Sequence, residues 1–354
     1  MQTTAQISPV FRQVSLQQQA DRAEPHLQRL EQLEQAAGAA GVTDRQFQQM
    51  CFDALAEFLA PYPDGRQPQP TREGAAAIDK LVHSVLHPGR KNRRTALALA
   101  MLEHLEKSAR LNDRVFLLRQ LELIGEGESV ARLSALLAAE DATLRHYALR
   151  ALQCNPTPSA AAAILAALEK TTDADWQVTL INALGARREK TAVPVLAKYL
   201  HHKQVEVARA AALALGNIGT AEAAGALGAV AAKASAELRP ALAEARLLAA
   251  ERLRTAGQTE AAEKIFTAVA AEAQQRHLKI AALRGRVLCR PQQSLPLLIE
   301  ALRSDDPQIQ ATAARLTLEV PGPEAGQKLL AVLPQLPASA QAFLLEALAE
   351  RKGR

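Results

Sequence analysis

The sequence predicts an all-α fold, a solenoid of stacked antiparallel helix pairs, on three observations. The apolar residues AVILMFWYC make up 48% of the chain but aromatics only 3%, so the apolar content is nearly all Ala, Leu and Val. Ala and Leu are the strongest helix formers, and small side chains let helices approach closely. Runs of β-branched and aromatic residues, which mark strands, are missing. Finally, leucines recur at a period near 31 residues, each followed by a turn and a second apolar helix.

The ladder runs through Leu121, Leu152, Leu184 and Leu215, at spacings of 31, 32 and 31. Leu253 follows at 38 and Leu288 at 35, then Leu318 and Leu348 at 30 each. The two wider steps imply longer helices, and the rung at Leu253 reads like a tetratricopeptide unit. Gly125, Gly127, Pro156, Pro158, Gly219, Gly257, Pro291, Pro321 and Pro323 punctuate the turns inside the pairs. Glycine supplies a left-handed helix end, and proline suits the start of the next helix. Glu140-Asp141, Thr172-Asp173 and Asp305-Asp306-Pro307 stand between pairs, where an acidic side chain caps the following helix. Neither helix of a pair buries its apolar stripe alone, so stacking builds one distributed core. Eight rungs at about 10 Å each make a rod or shallow arc on the order of 80 Å long.

The 354 residues divide by composition into an N-terminal helical segment (1–60), a linker loop (61–74) and the solenoid (75–354). The first segment is Gln-rich and acidic, with an apolar helix in QFQQMCFDALAEFLA. The linker is PYPDGRQPQPTREG. Helices around 75–87 and 91–107 form an irregular first rung. The last helix, near 338–351, carries Phe343, Leu344, Leu345 and Leu348, with one flank left exposed.

NALGARREKTAVPVLAKYL and LALGNIGTAEAAGAL resemble HEAT repeats, whose units run ALG, then a turn, then A-V-P-x-L. The stretch from Arg114 to Arg351 is also similar to HEAT segments of large multidomain bacterial proteins, often exported, where the array sits beside enzymatic domains. The resemblance implies an α-solenoid, with its second helices lining the concave side. Catalytic HEAT families serve as controls. Deoxyhypusine hydroxylase-like proteins hold two irons with His-Glu dipeptides, and this sequence has none. HEAT-like DNA glycosylases use an acidic residue and aromatics, for which Asp173, Asp175 and Trp176 are the nearest candidates. An N-cap and a packing tryptophan explain those three better. No motif singles out HEAT-like phycobilin lyases.

Other constellations are sparse. Cys51, Cys154 and Cys289 lie far apart and form no CxxC pair, and each reads as a small buried helix residue. His83 and His87 stand four apart on an expected helix, a spacing that suits a shared metal but lacks a third ligand nearby. Arg90-Lys91-Asn92-Arg93-Arg94 is the densest basic knot; it suits phosphate contacts, or a solvated loop and first helical turn. GEGES at 125–129 lacks the lysine of a phosphate loop and falls at a repeat turn. The candidate binding residues are Arg187, Arg188 and Lys190 at one turn, with Lys198, His202 and Lys203 at the end of the following helix. Few acids intervene among them.

The expected function is a non-catalytic protein-interaction scaffold or regulatory module. The alternatives are a nucleic-acid-binding solenoid or an accessory domain of a larger multidomain enzyme. No cofactor or metal is expected. The net charge of +5 permits an acidic protein partner, with nucleic acid second. No apolar stretch is long enough to span a membrane. The N-terminus is too polar for a signal peptide, so the chain as written reads as cytoplasmic, or exported if a leader segment is missing.

Overall fold

The computed structural model describes residues 9–39, 41–60 and 70–352. The N-terminal octet and residues 61–69 of the expected linker lie outside them. Among the described residues every regular element is helical, and no helix is long and apolar enough to cross a membrane. The chain forms two compact units, Met1–Lys170 and Thr171–Arg354.

The first unit holds α1 (Pro9–Gly38), α2 (Asp44–Phe58), α3 (Arg72–Val85), α4 (Lys91–Lys107), α5 (Leu111–Ile124), α6 (Gly127–Leu136), α7 (Ala142–Cys154) and α8 (Pro158–Lys170). Helix α3 takes in the last three residues of the expected linker, Arg72 to Gly74. Its N-cap is Thr71, whose hydroxyl accepts from the Gly74 amide. A capping box starts α2: Thr43 accepts from the Gln46 amide, and the Gln46 side chain accepts from Thr43 N–H at 2.9 Å. Phe47, Leu55, Phe58, Ile78, Leu81, Leu97, Met101 and Leu117 are fully buried.

The basic knot forms the turn before α4 and its first helical turn, with Lys91 and Asn92 exposed and the three arginines turned onto neighbouring segments. Arg90 donates to the Ser84 carbonyl at 2.8 Å. Arg93 donates to the Val42 and Thr43 carbonyls at 2.7 and 3.2 Å and lies over the Phe47 ring at 5.0 Å. Arg94, only 7% exposed, donates to the Ile124 carbonyl and pairs with Glu126 at 2.8 Å and Glu128 at 3.2 Å. These guanidiniums tie α4 to the starts of α2 and α6, because the planar fork satisfies several carbonyl and carboxylate oxygens at once.

The second unit is the regular part. Its first helices are α9 (Ala174–Arg187), then, after the second helix α10 (Val193–Tyr199), α11 (Val205–Ile218). There follow α12 (Ala221–Ala231), α13 (Arg239–Thr255), α14 (Thr259–Glu272), α15 (Arg276–Cys289), α16 (Leu295–Leu302), α17 (Pro307–Leu316), α18 (Pro323–Val332) and α19 (Ala338–Lys352). The pair α13/α14 is the longest here, as the wide step at Leu253 implies.

Every ladder leucine falls near the end of a first helix or in the single turn that extends it. Leu121, Leu152, Leu184 and Leu215 are 0% exposed and Leu253 1%. Leu288, Leu318 and Leu348 are only half-buried. Val287 and Leu344 are the fully buried neighbours in two of those rungs, and α17 tightens into a 3₁₀ turn at Thr317–Glu319 that re-aims Leu318. The acidic caps stand as the sequence implies: Asp141, Asp173 and Asp306 accept from amides of the helices they precede. A partner signal was missed. Gln177 and Gln310, four residues after two of these caps, turn back to donate to the Thr171 and Ser304 carbonyls, six residues upstream.

The left-handed turn residues are also periodic. Four positions after a ladder leucine stand Arg188, Gly219, Gly257 and Gly322, with φ of 54, 64, 81 and 92°. Gly125 in the same slot has φ −71°. Its small size matters for another reason: a Cβ would lie 2.7 Å from the Leu121 oxygen.

First helices lock together through glycine. A Cβ on Gly185 would meet Ala214 Cα at 2.7 Å, and one on Gly216 would meet the Ala245 oxygen at 2.7 Å. So α9, α11 and α13 touch nearly backbone to backbone. Alanine for glycine inside a helix normally stabilises by about 0.5–1 kcal/mol. Gly216→Ala is instead expected to cost about 1 kcal/mol, since overpacking outweighs propensity. Gly225→Ala on α12, where a Cβ meets nothing within 4 Å, should show the ordinary gain. Urea melts of the two variants check the contrast, and equal gains would disprove the tight seam.

Candidate binding groove

The glycine seam stops at α13. After the ladder leucines Leu184, Leu215 and Leu253 of α9, α11 and α13 stand Gly185, Gly216 and Arg254. Arg254 cannot let the next first helix approach, and it turns to Glu251 with contacts of 2.9 and 2.6 Å. Helix α15 packs instead on α14, where Gly285 is so close that a Cβ would lie 2.3 Å from the Phe266 ring. A groove of about 610 Å³ opens between α13, α15 and the start of α17. That volume suits a side-chain cluster or a small ligand.

The floor of the groove is apolar, made by Leu247, Phe266, Ile280 and Leu288. On α15 the lining residues His277, Ala281, Arg284 and Leu288 follow helical spacing along one stripe. The walls are charged. Arg276 pairs with Asp306 and donates to Gln308 at 3.1 Å. His277 stands 3.9 Å from Glu244. The hydrogen bond from Arg254 holds the Glu251 carboxyl below its usual range; partial burial opposes this, and the charges of Arg254 and Arg284 reinforce it. Glu251 therefore stays ionised at neutral pH.

Next to the lining Leu288 in sequence is a buried thiol. Cys289 is 8% exposed, and burial with the nearby Glu263 carboxylate pushes its pKa up. Cys51 is fully buried and pushed up to about 12, chiefly by burial. Cys154, expected to be buried, is exposed at the end of α7.

The residues chosen from sequence fall in two groups. Arg187, Arg188 and Lys190 surround the α9–α10 turn, with Arg188 and Lys190 exposed and Arg187 half-buried. Glu189, the acid among them, caps the turn by accepting from Thr191. Lys198, His202 and Lys203 stand at the far end of α10, about 12 Å along the helix axis from Lys190. There the His202 ring stacks on Tyr199 at 6.0 Å, and its Nδ1 accepts from the Gln204 amide. The structure thus joins each triplet and separates the two by the length of one short helix.

The other candidates are placed in the fold. Helix α3 ends at Val85, so His87 lies in the following turn rather than one helical turn from His83, whose Nδ1 bonds the Asp79 carbonyl. Among the described residues no group of three His, Cys, Asp or Glu could hold a metal ion. Trp176 is 6% exposed behind the Asp173 cap, a packing position. GEGES forms the α5–α6 turn, whose Gly125 and Glu126 carbonyls accept from Asn155.

Residues 161–247, spanning α8 to α13, match the family model described as HEAT repeats. The chain carries HEAT repeats. No curated protein matches it. Among solved structures, the complex of CpcE and CpcF of phycocyanin lyase from Nostoc sp. PCC7120 is 23% identical over 62% of this chain and 94% of its own, with a TM-score of 0.37. A likeness that slight carries no argument about function. The HEAT match ends inside α13, where the glycine seam also stops and the groove begins.

Proposed function

We propose that this HEAT-repeat chain is a non-catalytic interaction module that grips a protein partner in the α13–α15 groove. One observation carries the reading: an open apolar floor lies between ionised walls, at the one junction in this run where the seam residue changes from glycine to arginine. A segment that inserts an apolar side chain between acidic neighbours fits it. Leu247, Ile280 and Leu288 would cover the apolar anchor, and Arg284 and His277 would face the acids. Central, desolvated contacts dominate such interfaces, and rim charges tune encounter.

The nucleic-acid reading gains less support, because Arg93 and Arg94 of the densest basic segment are spent on internal carbonyls and carboxylates. The test is affinity capture from the source cells with wild type and with Ile280→Glu/Arg284→Glu. A partner held by wild type should be lost, or bound about tenfold or more weakly, by the variant, while the melting curve stays put. Full capture by the folded variant would remove the groove from the interface. Capture of RNA or DNA that vanishes steeply with salt would favour the alternative.

A further inference from the structure

A second cavity, of about 600 Å³, lies where α12 and α14 end and α13 begins. The link from Ala232 to Leu238, the longest between successive pairs in this unit, forms one wall. Along α13 the lining residues Arg239, Leu242, Ala243 and Arg246 follow helical spacing on one stripe. An arginine therefore stands at each end of two helical turns, about 10 Å apart along the axis, with apolar surface between. Among the lining residues the one other charge is Glu272.

The two arginines are held differently. Arg246 is only 7% exposed, and its fork meets the Glu272 carboxylate, Nη1 to Oε2 at 2.5 Å and Nη2 to Oε1 at 3.4 Å. The Glu272 side chain is 56% exposed. It is also the last residue of α14, the end at which the helix dipole disfavours a carboxylate. A fixed, buried cation thus holds a carboxylate that arrives from the solvent side. Arg239 is exposed; its Nε donates to the Ala234 carbonyl at 3.1 Å, and its two Nη groups have no partner among the described residues. Helices α13 and α15 start here with no capping side chain and no acid in the first turn, unlike those behind Asp141, Asp173 and Asp306, which adds to the positive field.

We infer that this cavity binds a small molecule carrying a carboxylate at each end of a short apolar chain. One carboxylate takes the place of Glu272 on Arg246, whose planar fork matches two oxygens at once. The other meets the free Nη groups of Arg239, while Leu242, Ala243 and Val269 cover the chain between. Glu272 turns out to solvent at little cost, being more than half exposed already. The volume is that of a small-ligand site. Leu247 and Glu251 line the α13–α15 groove, so the two sites use different faces of α13 and are tested separately.

The probe is suberate, a dicarboxylate whose extended chain approaches the two-turn rise of about 10 Å. Isothermal titration of the full chain should show saturable binding. Arg239→Gln should weaken it about tenfold or more, because a charged hydrogen bond is lost. Glu272→Gln should tighten it about threefold or more, because the internal competitor is gone. Arg239 is exposed, and glutamine at 272 still offers Arg246 an acceptor, so circular dichroism should match wild type; if Glu272→Gln misfolds, Arg239→Gln decides. Octanoate, of equal length with one carboxylate, should bind about tenfold more weakly or worse. Absence of suberate binding to both wild type and Glu272→Gln would overturn the proposal, as would binding that ignores Arg239→Gln. Octanoate or inorganic phosphate binding as tightly as suberate would do the same. A blocked Glu-Ala-Ala-Ala-Glu peptide that binds more tightly than suberate would assign the cavity to a protein segment and overturn the small-molecule reading.

Discussion

Leu184→Asp is expected to unfold the regular half of the molecule under mild conditions. Leu184 is 0% exposed, among Leu180, Ile181 and the α11 residues Ala211, Ala214 and Leu215, all buried. Removing a buried leucine alone costs about 3–5 kcal/mol, and the carboxylate adds the penalty of entering an apolar site without a partner. A total of at least about 4 kcal/mol is a large share of a domain's net stability. Urea titration with amide exchange on α9 and α11 measures it. Unchanged protection would mean that the ladder is out of register at this rung.

Arg94→Met should produce the next largest loss. The side chain holds the Ile124 carbonyl, Glu126 and Glu128, and the Glu128 side chain is only 14% exposed. Breaking one side of a buried ion pair typically costs about 3–5 kcal/mol, because the surviving charge stays desolvated. The double variant Arg94→Met/Glu128→Gln should recover part of the loss, since it removes the orphaned charge while keeping the volume. A double variant no more stable than the single one would assign the cost to packing rather than to charge. Thermal melts of the three proteins decide it.

These two residues also mark what could be read from the chain. Leu184 was legible because its rung repeats every 31 residues or so and its helix is capped by a local acid, Asp173. Arg94 was not. Its role depends on Ile124, Glu126 and Glu128, some 30 residues away, and composition alone groups it with four basic or polar neighbours. In VLC the sequence offers two large apolar side chains about 100° apart on the helix. It does not say which faces inward, and Val287 wins by following Leu283 at four residues. The groove followed from a substitution in plain view, Gly185 and Gly216 giving way to Arg254. Its meaning needed the distance at which glycine lets two helices meet. The basic triplets were visible as composition, but their separation depends on where α10 begins and ends.

The change of seam has a mechanical side. Between α9, α11 and α13 there is no slack, because any sliding drives Ala214 or Ala245 into the neighbouring backbone. Between α13 and α15 the joint is made of side chains, with the Arg254–Glu251 pair lying along α13 itself, and these rotate about single bonds and exchange with water at little cost. A load that flexes this part of the stack is therefore absorbed first at Arg254 and Glu251, as in a rail whose welded lengths meet at one expansion gap. Anything seated in that gap, by filling it, would stiffen the stack from α9 through α17 without touching its core.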